Sequence, residues 1–234
     1  MKTVAHGETL IQLTRLAAMN CYLVREAEGF TLVDTNLPGS ARAIVRAAEE
    51  HGMPITRIVL THAHTDHVGS LDALARVLAG IEIMITAREA RFMRGDFSLD
   101  SDEPKSDLRG SFQTCKTAPT RSISPGDRIG SLEVVASAGH TPGHVSFLDV
   151  RDRTLLAGDA FQTRGGVAVS GVVRPLFPLP ALATWHRPTA FQSALDLRAL
   201  RPARLAPGHG PVIDDPLDQM DGALSEAQRE EYAY

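Results

Sequence analysis

The sequence predicts a fold of the α/β class, in which short strands alternate with amphipathic helices. Short apolar, β-prone runs recur along the chain and are bounded by glycine, proline or aspartate. They predict strands over residues 9–13, 20–24, 30–34, 57–60, 81–85, 132–136, 146–150, 154–157 and 204–206. Strands lead into strand–helix units in both halves of the chain, and 234 residues are enough for one sizeable core.

Helices are predicted where apolar residues recur every three to four positions. The clearest spans residues 40–51, where Ser40 can cap the start and Gly52 can end the helix. The other predicted helices span residues 70–78, 88–94, 189–200 and 216–232. In the helix over residues 189–200 we expect Phe191, Ala194 and Leu195 to face inward, and in the last helix we expect Leu217, Met220 and Leu224 to share one side.

Composition and charge exclude several classes of protein. There are 24 Lys and Arg against 28 Asp and Glu, so the net charge of −4 gives no electrostatic footprint for nucleic acid. The N-terminal residues lack the apolar core of a signal peptide, and no apolar run is long enough to span a bilayer. The two cysteines, Cys21 and Cys115, lie in no CxxC motif. These features predict reduced structural cysteines and a cytoplasmic protein without membrane or nucleic-acid partners.

The sequence THAHTDHVG, residues 61–69, is the strongest chemical signal in the chain. It follows a predicted strand, and side chains two positions apart point the same way in an extended backbone. His62 and His64 can therefore reach one metal ion together. Asp66 and His67 follow where the chain should turn into a helix, so they can bind a second ion. Imidazole and carboxylate ligands without thiolate favour zinc, with iron or manganese as alternatives.

Three later strands end in the same kind of segment. Residues 137–144 read SAGHTPGH, residues 158–159 read GD, and residues 207–210 read PGHG. Each presents His or Asp beside small or turn-forming residues, which allow tight turns and close backbone approach. Six of the nine histidines fall in these four segments. One metal centre built from four strand ends explains this distribution better than the alternative, a surface histidine patch without function.

The ordered set HAHTDH, GHTPGH, GDA and PGHG resembles the metallo-β-lactamase superfamily of dinuclear hydrolases. The motifs extend over residues 61–210, so the resemblance covers nearly the whole chain. It implies an αββα sandwich, with two mixed β-sheets flanked by helices, as a single domain over residues 1–234. Periodicity alone predicts only the α/β class.

The resemblance also implies a role for each side chain of the motifs. The expected ligands are His62, His64 and His140 for the first metal, Asp66, His67 and His209 for the second, and Asp159 as the bridge between them. The expected catalytic residue is Asp66, which would take the proton from the attacking water.

Two further residues are expected to support the ligands. His144 is assigned to a position behind them, where it would hydrogen-bond a ligand or the substrate, and direct ligation is the alternative. Asp34 is expected beneath residues 61–69, the predicted metal loop. The alternative is that Asp34 caps the turn before Pro38.

The expected function is that of a dinuclear metal-dependent hydrolase. Two divalent ions, most simply zinc, would share a hydroxide that attacks the carbonyl of a carboxylic ester, lactone or thioester. Acyl-homoserine lactonases have a similar ligand set, but the tyrosine that they carry three residues after the bridging aspartate is Gln162 here. The alternatives are an iron oxidoreductase of the persulfide dioxygenase type, a phosphodiesterase, and a binding protein with an inactive site. The expected partner is a small-molecule substrate, and a homodimer is left open.

Two long segments without periodicity complete the prediction. Residues 95–120 are polar and charged, and we expect a lid near the metals, with a disordered insertion as the alternative. Residues 162–186 are apolar, contain three prolines and follow the bridging aspartate. They should form an apolar substrate wall that includes Phe177 and Trp185, and a loop packed on the core is the alternative. His186 fits the start of the following helix better than a place in this wall.

Overall fold

The structure, a computed structural model, describes residues 1–231 and comprises two compact units. The first unit contains Met1–Asp96 and Phe112–Ile123. The second contains Phe97–Ser111 and the chain from Ser124 onward. The predicted final helix includes residue 232, which lies outside the described residues.

The first unit is built on a mixed seven-stranded sheet whose strands follow one another in chain order. They are β1 (Lys2–His6), β2 (Leu10–Arg15), β3 (Met19–Arg25), β4 (Phe30–Val33), β5 (Ile55–Val59), β6 (Glu82–Thr86) and β7 (Arg121–Ile123). Strands β1 to β4 pair antiparallel, and β4 to β7 pair parallel. Strand β1 is absent from the sequence prediction because it lies at the sheet edge and its side chains are mostly exposed, so it lacks a clear apolar pattern.

Four helices connect the parallel strands of this unit: α1 (Ala41–Glu50), α2 (Thr65–Val68), α3 (Leu71–Val77) and α4 (Ala87–Met93). Helix α1 begins after Ser40, at the predicted position, and buries Ala41 and Ile44, but the Ser40 side chain makes no capping hydrogen bond. The single turn α2 is not part of the prediction, and it carries Asp66 and His67. At Gly69 the chain passes so close to Pro38 that a Cβ would lie 2.4 Å from the proline ring.

The second unit contains β8 (Arg128–Ile129), β9 (Leu132–Ala136), β10 (Val145–Asp149), β11 (Thr154–Gly158), β12 (Phe161–Gln162), β13 (Ala168–Val169), β14 (Arg204–Pro207) and β15 (Ile213–Asp214). Six of them form a sheet in the order β15-β14-β11-β10-β9-β8, and β12 pairs with β13. Only β11 and β14 pair parallel among the described strands of the six-stranded sheet. The chain therefore has two mixed sheets with helices, which confirms the predicted fold class.

Three helices belong to the second unit: α5 (Leu179–Leu182), α6 (Arg187–Ala199) and α7 (Leu217–Glu231). Helix α6 buries Ala190, Ala194 and Leu197, a spacing of three to four residues that defines one helical face. The prediction that Leu195 faces inward is wrong, because it lies off this face and is 38% exposed. Helix α7 contributes Met220, as predicted, to the same apolar core.

The segment 95–120 contains no helix, but hydrogen bonds hold its backbone in place. In the first unit the backbone N–H groups of Lys116 and Thr117 donate to the carboxylate of Asp72. In the second unit the carbonyl of Ser106 accepts from the indole Nε1 of Trp185 at 3.0 Å. These contacts disagree with the alternative of a disordered insertion.

Both cysteines are free thiols. Burial raises the pKa of the Cys21 thiol well above its usual range and raises the pKa of Cys115 to about 11. Thiols with raised pKa values are poor nucleophiles, so both agree with the predicted structural role. Among residues 1–231, no helix is long and apolar enough to cross a bilayer.

Candidate metal centre

The loop after β5 brings three buried imidazoles together in the first unit. The ring centroids of His62 and His67 lie 4.0 Å apart, and Nε2 of His62 lies 3.1 Å from Nδ1 of His64. Asp66 is half-buried, and its Oδ2 lies 3.8 Å from Nε2 of His67. All four candidate ligand side chains of the THAHTDHVG motif therefore lie close to one another.

Hydrogen bonds behind the rings determine which nitrogen carries the proton. Thr61 Oγ1 donates to Oδ2 of Asp34 at 2.9 Å, so it accepts from Nδ1 of His62 at 3.0 Å. Nδ1 of His67 donates to the same carboxylate oxygen at 2.8 Å. In both rings the proton lies on Nδ1, which leaves the Nε2 lone pair for a metal ion.

Asp34 holds the metal loop through three hydrogen bonds. Besides the two bonds to Oδ2, its Oδ1 accepts the backbone N–H of Thr61 at 2.8 Å. The backbone of Asp34 is left-handed, with a φ of 61°, a conformation that is uncommon outside glycine and that functional sites often contain. These contacts favour the predicted supporting role over simple turn capping.

Glu89 is a buried carboxylate that the sequence prediction does not include. Its Oε2 accepts the backbone N–H of Ala63 at 2.8 Å, between His62 and His64. Thr86 caps α4 and accepts the backbone N–H of Glu89. A threonine followed three residues later by glutamate is the sequence pattern of a capping box, and here the glutamate side chain binds the metal loop.

In the second unit, one carboxylate oxygen lies between two histidines. Oδ2 of Asp159 is 3.1 Å from Nε2 of His209 and 3.3 Å from Nε2 of His140, and all three side chains are buried. Gly158 and Pro207 are partners in the parallel pair β11–β14. Asp159 and His209 therefore leave the sheet at the same edge, which explains why two distant sequence segments meet.

A hydroxyl chain fixes the tautomer of His140. Thr184 Oγ1 donates to the carbonyl of Pro180 at 2.9 Å, so Ser170 Oγ donates to Thr184 at 2.8 Å. Ser170 is then the acceptor for Nδ1 of His140 at 3.0 Å. The Nε2 lone pair of His140 faces Asp159, and the sequence gives no signal for either hydroxyl because both lie in an irregular segment.

The start of α6 fixes the loop that carries His140. The backbone N–H of Trp185 donates to the carbonyl of His140, and that of His186 donates to the carbonyl of Gly139. A Cβ on Gly139 would lie 2.2 Å from the backbone nitrogen of Ala190, so only glycine fits there. His186 caps α6 and accepts from the N–H of Thr189, which agrees with its expected place at the helix start.

His144 has a different set of partners. Its Nε2 accepts the backbone N–H of Asp159 at 3.0 Å, so its Nδ1 donates to Ser137 Oγ at 2.8 Å. Ser137 contacts Ser146, whose hydroxyl donates to the carbonyl of Ala157. Both ring nitrogens are engaged by protein groups, so His144 positions the backbone of Asp159, and this favours the supporting role over direct ligation.

The segment 162–186 divides into two parts. Three of its valines pack into the core of the second unit: Val167, Val169 and Val172. The prediction of a substrate wall is wrong for these valines, because they are buried in the same cluster as apolar residues of α6 and α7. Phe177 lies with its ring centroid 5.2 Å from that of His209, so this side chain does border a candidate ligand.

Each unit, taken by itself, brings together His and Asp side chains that could take part in holding a metal ion. They are His62, His64, Asp66 and His67 in the first unit, and His140, Asp159 and His209 in the second. Neutral imidazole nitrogens and carboxylate oxygens are the donors that zinc, iron and manganese accept. The residues therefore fit divalent metal ions.

Comparison with known proteins identifies the family. The family model of the metallo-β-lactamase superfamily matches residues 16–209. The uncharacterized protein YobT of Bacillus subtilis (strain 168) is 45% identical over 230 residues, which is 97% of this chain and 99% of that protein. A hydroxyacylglutathione hydrolase of Rhizobium etli is 33% identical over 169 residues, covering 70% of this chain and 53% of that enzyme.

Solved structures agree with this result. The di-iron-bound form of TTHA1623 matches with a TM-score of 0.64 and 26% sequence identity. The matched region covers 88% of this chain and 94% of the TTHA1623 chain. The metallo-β-lactamase DIM-1 has a TM-score of 0.73 at 15% identity, covering 98% of this chain and 97% of its own, which shows the shared fold alone. By its sequence, its two mixed sheets and its His and Asp motifs, the chain belongs to the metallo-β-lactamase superfamily.

Proposed function

We propose that this protein is a dinuclear metal-dependent hydrolase that cleaves a carboxylic ester, lactone or thioester. The position of Asp159 Oδ2, 3.1 Å from His209 Nε2 and 3.3 Å from His140 Nε2, carries the proposal. The two histidines belong to different predicted metal sites, and one carboxylate oxygen beside both is the arrangement of a bridging ligand. The superfamily consists mostly of metallo-hydrolases, which supports hydrolysis as the reaction class.

The proposed ligands are the seven side chains of the four motifs. We assign His62, His64 and His140 to one ion, Asp66, His67 and His209 to the other, and Asp159 to both, from their places in the four motifs. The Nδ1 protons of His62, His67 and His140 are held by neighbouring oxygen atoms, so each ring presents an Nε2 lone pair. Ligands that are already in the binding tautomer need no proton rearrangement before the metal binds.

When bound, two divalent ions would lower the pKa of a water molecule between them and polarise the substrate carbonyl. We assign the proton-accepting role to Asp66, because its half-buried carboxylate retains contact with solvent. Glu89 and Asp34 would keep the loop from shifting as charge develops, since each holds a backbone N–H of the metal loop.

Metal stoichiometry tests the dinuclear assignment. We expect about two divalent ions per chain, because seven ligand-type side chains exceed the needs of one tetrahedral site. The measurement is elemental analysis of protein purified without added metal. Zinc is the proposed metal, and the di-iron form of TTHA1623 makes iron the competitor to quantify in the same sample. A single tightly held ion, retained by Asp159→Ala, would contradict the proposal.

Substrate preference tests the remaining part of the predicted wall. Because Phe177 borders His209, we expect kcat/KM for esters and lactones to rise with acyl length. Each methylene buried should add up to about 0.8 kcal/mol of transition-state binding, or roughly a factor of four. Phe177→Ala should flatten this dependence and leave the metal content unchanged.

The matched control is Leu176→Ala, because Leu176 is the neighbouring residue and is 82% exposed. It should keep the wild-type dependence on chain length. Trp185, which was expected in the same wall, is not proposed to contact substrate, because its indole donates to the Ser106 carbonyl and the residue is almost fully buried. A flat wild-type profile, or a preference for phosphodiesters, would exclude the proposed role of Phe177.

The remaining expectations stay predictions. They are a single domain over residues 1–234, a cytoplasmic location and a small-molecule substrate. A metal-free binding role is not proposed, since each of the four motifs retains its His or Asp side chains.

A further inference from the structure

A cavity in the second unit has the chemistry of an anion-binding site. It has a volume of about 390 Å³ and is bordered by the start of α6, by Trp185 and by residues of the 97–111 segment. Its polar and charged lining comes from Ser106, Arg109, Thr184, His186 and Arg187. No carboxylate belongs to the described lining, although the chain as a whole carries a net charge of −4.

The lining supplies hydrogen-bond donors. Arg109 and Arg187 each carry a guanidinium group, which offers several N–H donors and no acceptor. Nδ1 of His186 accepts the backbone N–H of Thr189, so the neutral ring carries its proton on Nε2, where it is a donor. A cavity that is rich in donors and lined by no carboxylate matches a group with several acceptor oxygens.

The walls of the cavity are held in place before any ligand binds. The stem of Arg187 packs over Gly171, where an added Cβ would lie 2.7 Å from Cγ of the arginine. Trp185 Nε1 donates to the carbonyl of Ser106, which ties two other lining residues together. These contacts fix part of the lining, while the side chains of Arg109 and Arg187 are exposed and can reach an anion from solvent.

The cavity adjoins the support of a candidate metal ligand. Thr184 lines the cavity, and its Oγ1 accepts from Ser170, which in turn accepts from Nδ1 of His140. The backbone of Trp185 also donates to the carbonyl of His140. A ligand in the cavity would therefore contact the same residues that orient His140.

We propose that this cavity binds the carboxylate or phosphate group of a small molecule through Arg187, Arg109 and His186. The proposal does not depend on the hydrolytic function, because none of these three residues is a candidate metal ligand. Carboxylate and phosphate groups are both recognised by hydrogen-bond donors and positive charge, and the titrations described below distinguish between them.

The only tryptophan in the chain, Trp185, forms part of the wall and provides the signal. The probes are inorganic phosphate, acetate and succinate, titrated into the purified protein at constant ionic strength while tryptophan fluorescence is measured. We expect a saturable change for at least one probe. Tighter binding of phosphate assigns a phosphate ligand, and tighter binding of acetate or succinate assigns a carboxylate.

Arg187→Gln should weaken binding of the preferred probe by tenfold or more, and Arg109→Gln should also weaken it. The matched control is Arg42→Gln on α1, which removes an exposed arginine elsewhere and should leave binding unchanged. Arg187→Lys keeps the charge and should retain part of the affinity, which excludes misfolding as the cause of the loss. A thermal melt of each variant provides a second check on folding.

The variant Asp159→Asn distinguishes binding in the cavity from binding at the proposed metal centre. Binding in the cavity should give the same fluorescence titration in this variant as in the wild type. If fluorescence does not saturate with any probe, or if Arg187→Gln binds as tightly as the wild type, the cavity is not an anion site. Loss of the signal in Asp159→Asn with retention in Arg187→Gln would place the anion at the metals and overturn the proposal. If elemental analysis finds no metal in the purified protein, that result contradicts the proposed hydrolase function and leaves the anion site unaffected.

Discussion

Replacement of Asp159 by asparagine should lower kcat/KM by about 10³-fold or more and reduce the metal content. One carboxylate oxygen lies 3.1 Å from His209 Nε2 and 3.3 Å from His140 Nε2, so one substitution removes a ligand from both proposed sites. The amide has nearly the same shape but carries no negative charge. Several kcal/mol of charge stabilisation are therefore lost, and each 1.4 kcal/mol corresponds to about a factor of ten in rate.

The matched control is Asp149→Asn. Asp149 is also a buried aspartate of the second unit, but its carboxylate pairs with Arg151 and accepts from Ser131. This variant should be less stable than the wild type and should retain both metal and activity. The measurements are elemental analysis and kcat/KM on one ester substrate for all three proteins. Full metal content and full activity in Asp159→Asn would refute the bridging role.

The two histidines of the GHTPGH motif should respond very differently to truncation. His140→Ala removes a proposed ligand and should lose one metal ion and about 10³-fold in kcat/KM. His144→Ala removes the acceptor for the backbone N–H of Asp159 and the donor to Ser137. It should retain most of the metal and lose about 10- to 100-fold, the usual range for a residue that orients a ligand.

The two variants control for each other, because both side chains are buried to the same extent in one loop. His144→Gln offers a further comparison, since its amide oxygen can accept from the Asp159 N–H. We expect this variant to recover part of the activity that His144→Ala loses. The opposite ranking, with metal lost in His144→Ala and kept in His140→Ala, would show that the ligand assignment is reversed.

Local patterns in the sequence were sufficient to predict most of the elements. Apolar runs predicted β2 to β6 and β9 to β11, and the stripe from Ala41 predicted α1. They succeeded because burial of one face imposes a period of two on strands and about 3.6 on helices. Strand β1 was not predicted, because an exposed edge strand needs no apolar face and therefore shows no such period. The prediction of the inward face of α6 was partly wrong, because small residues, including Ala190, pack against the loop that carries His140.

The sequence by itself determined the candidate ligand types, their order and the family, because the four His and Asp motifs are short and local. Only the tertiary structure decided how the candidate ligands are held. Ser170 and Thr184 fix the tautomer of His140, and Glu89 fixes the backbone beside His64, through contacts between residues far apart in sequence. Such contacts depend on where strand ends and helix starts meet, and a local pattern carries no information about that meeting. The same reason explains the cavity around Arg187, whose donors come from separate segments that folding brings together.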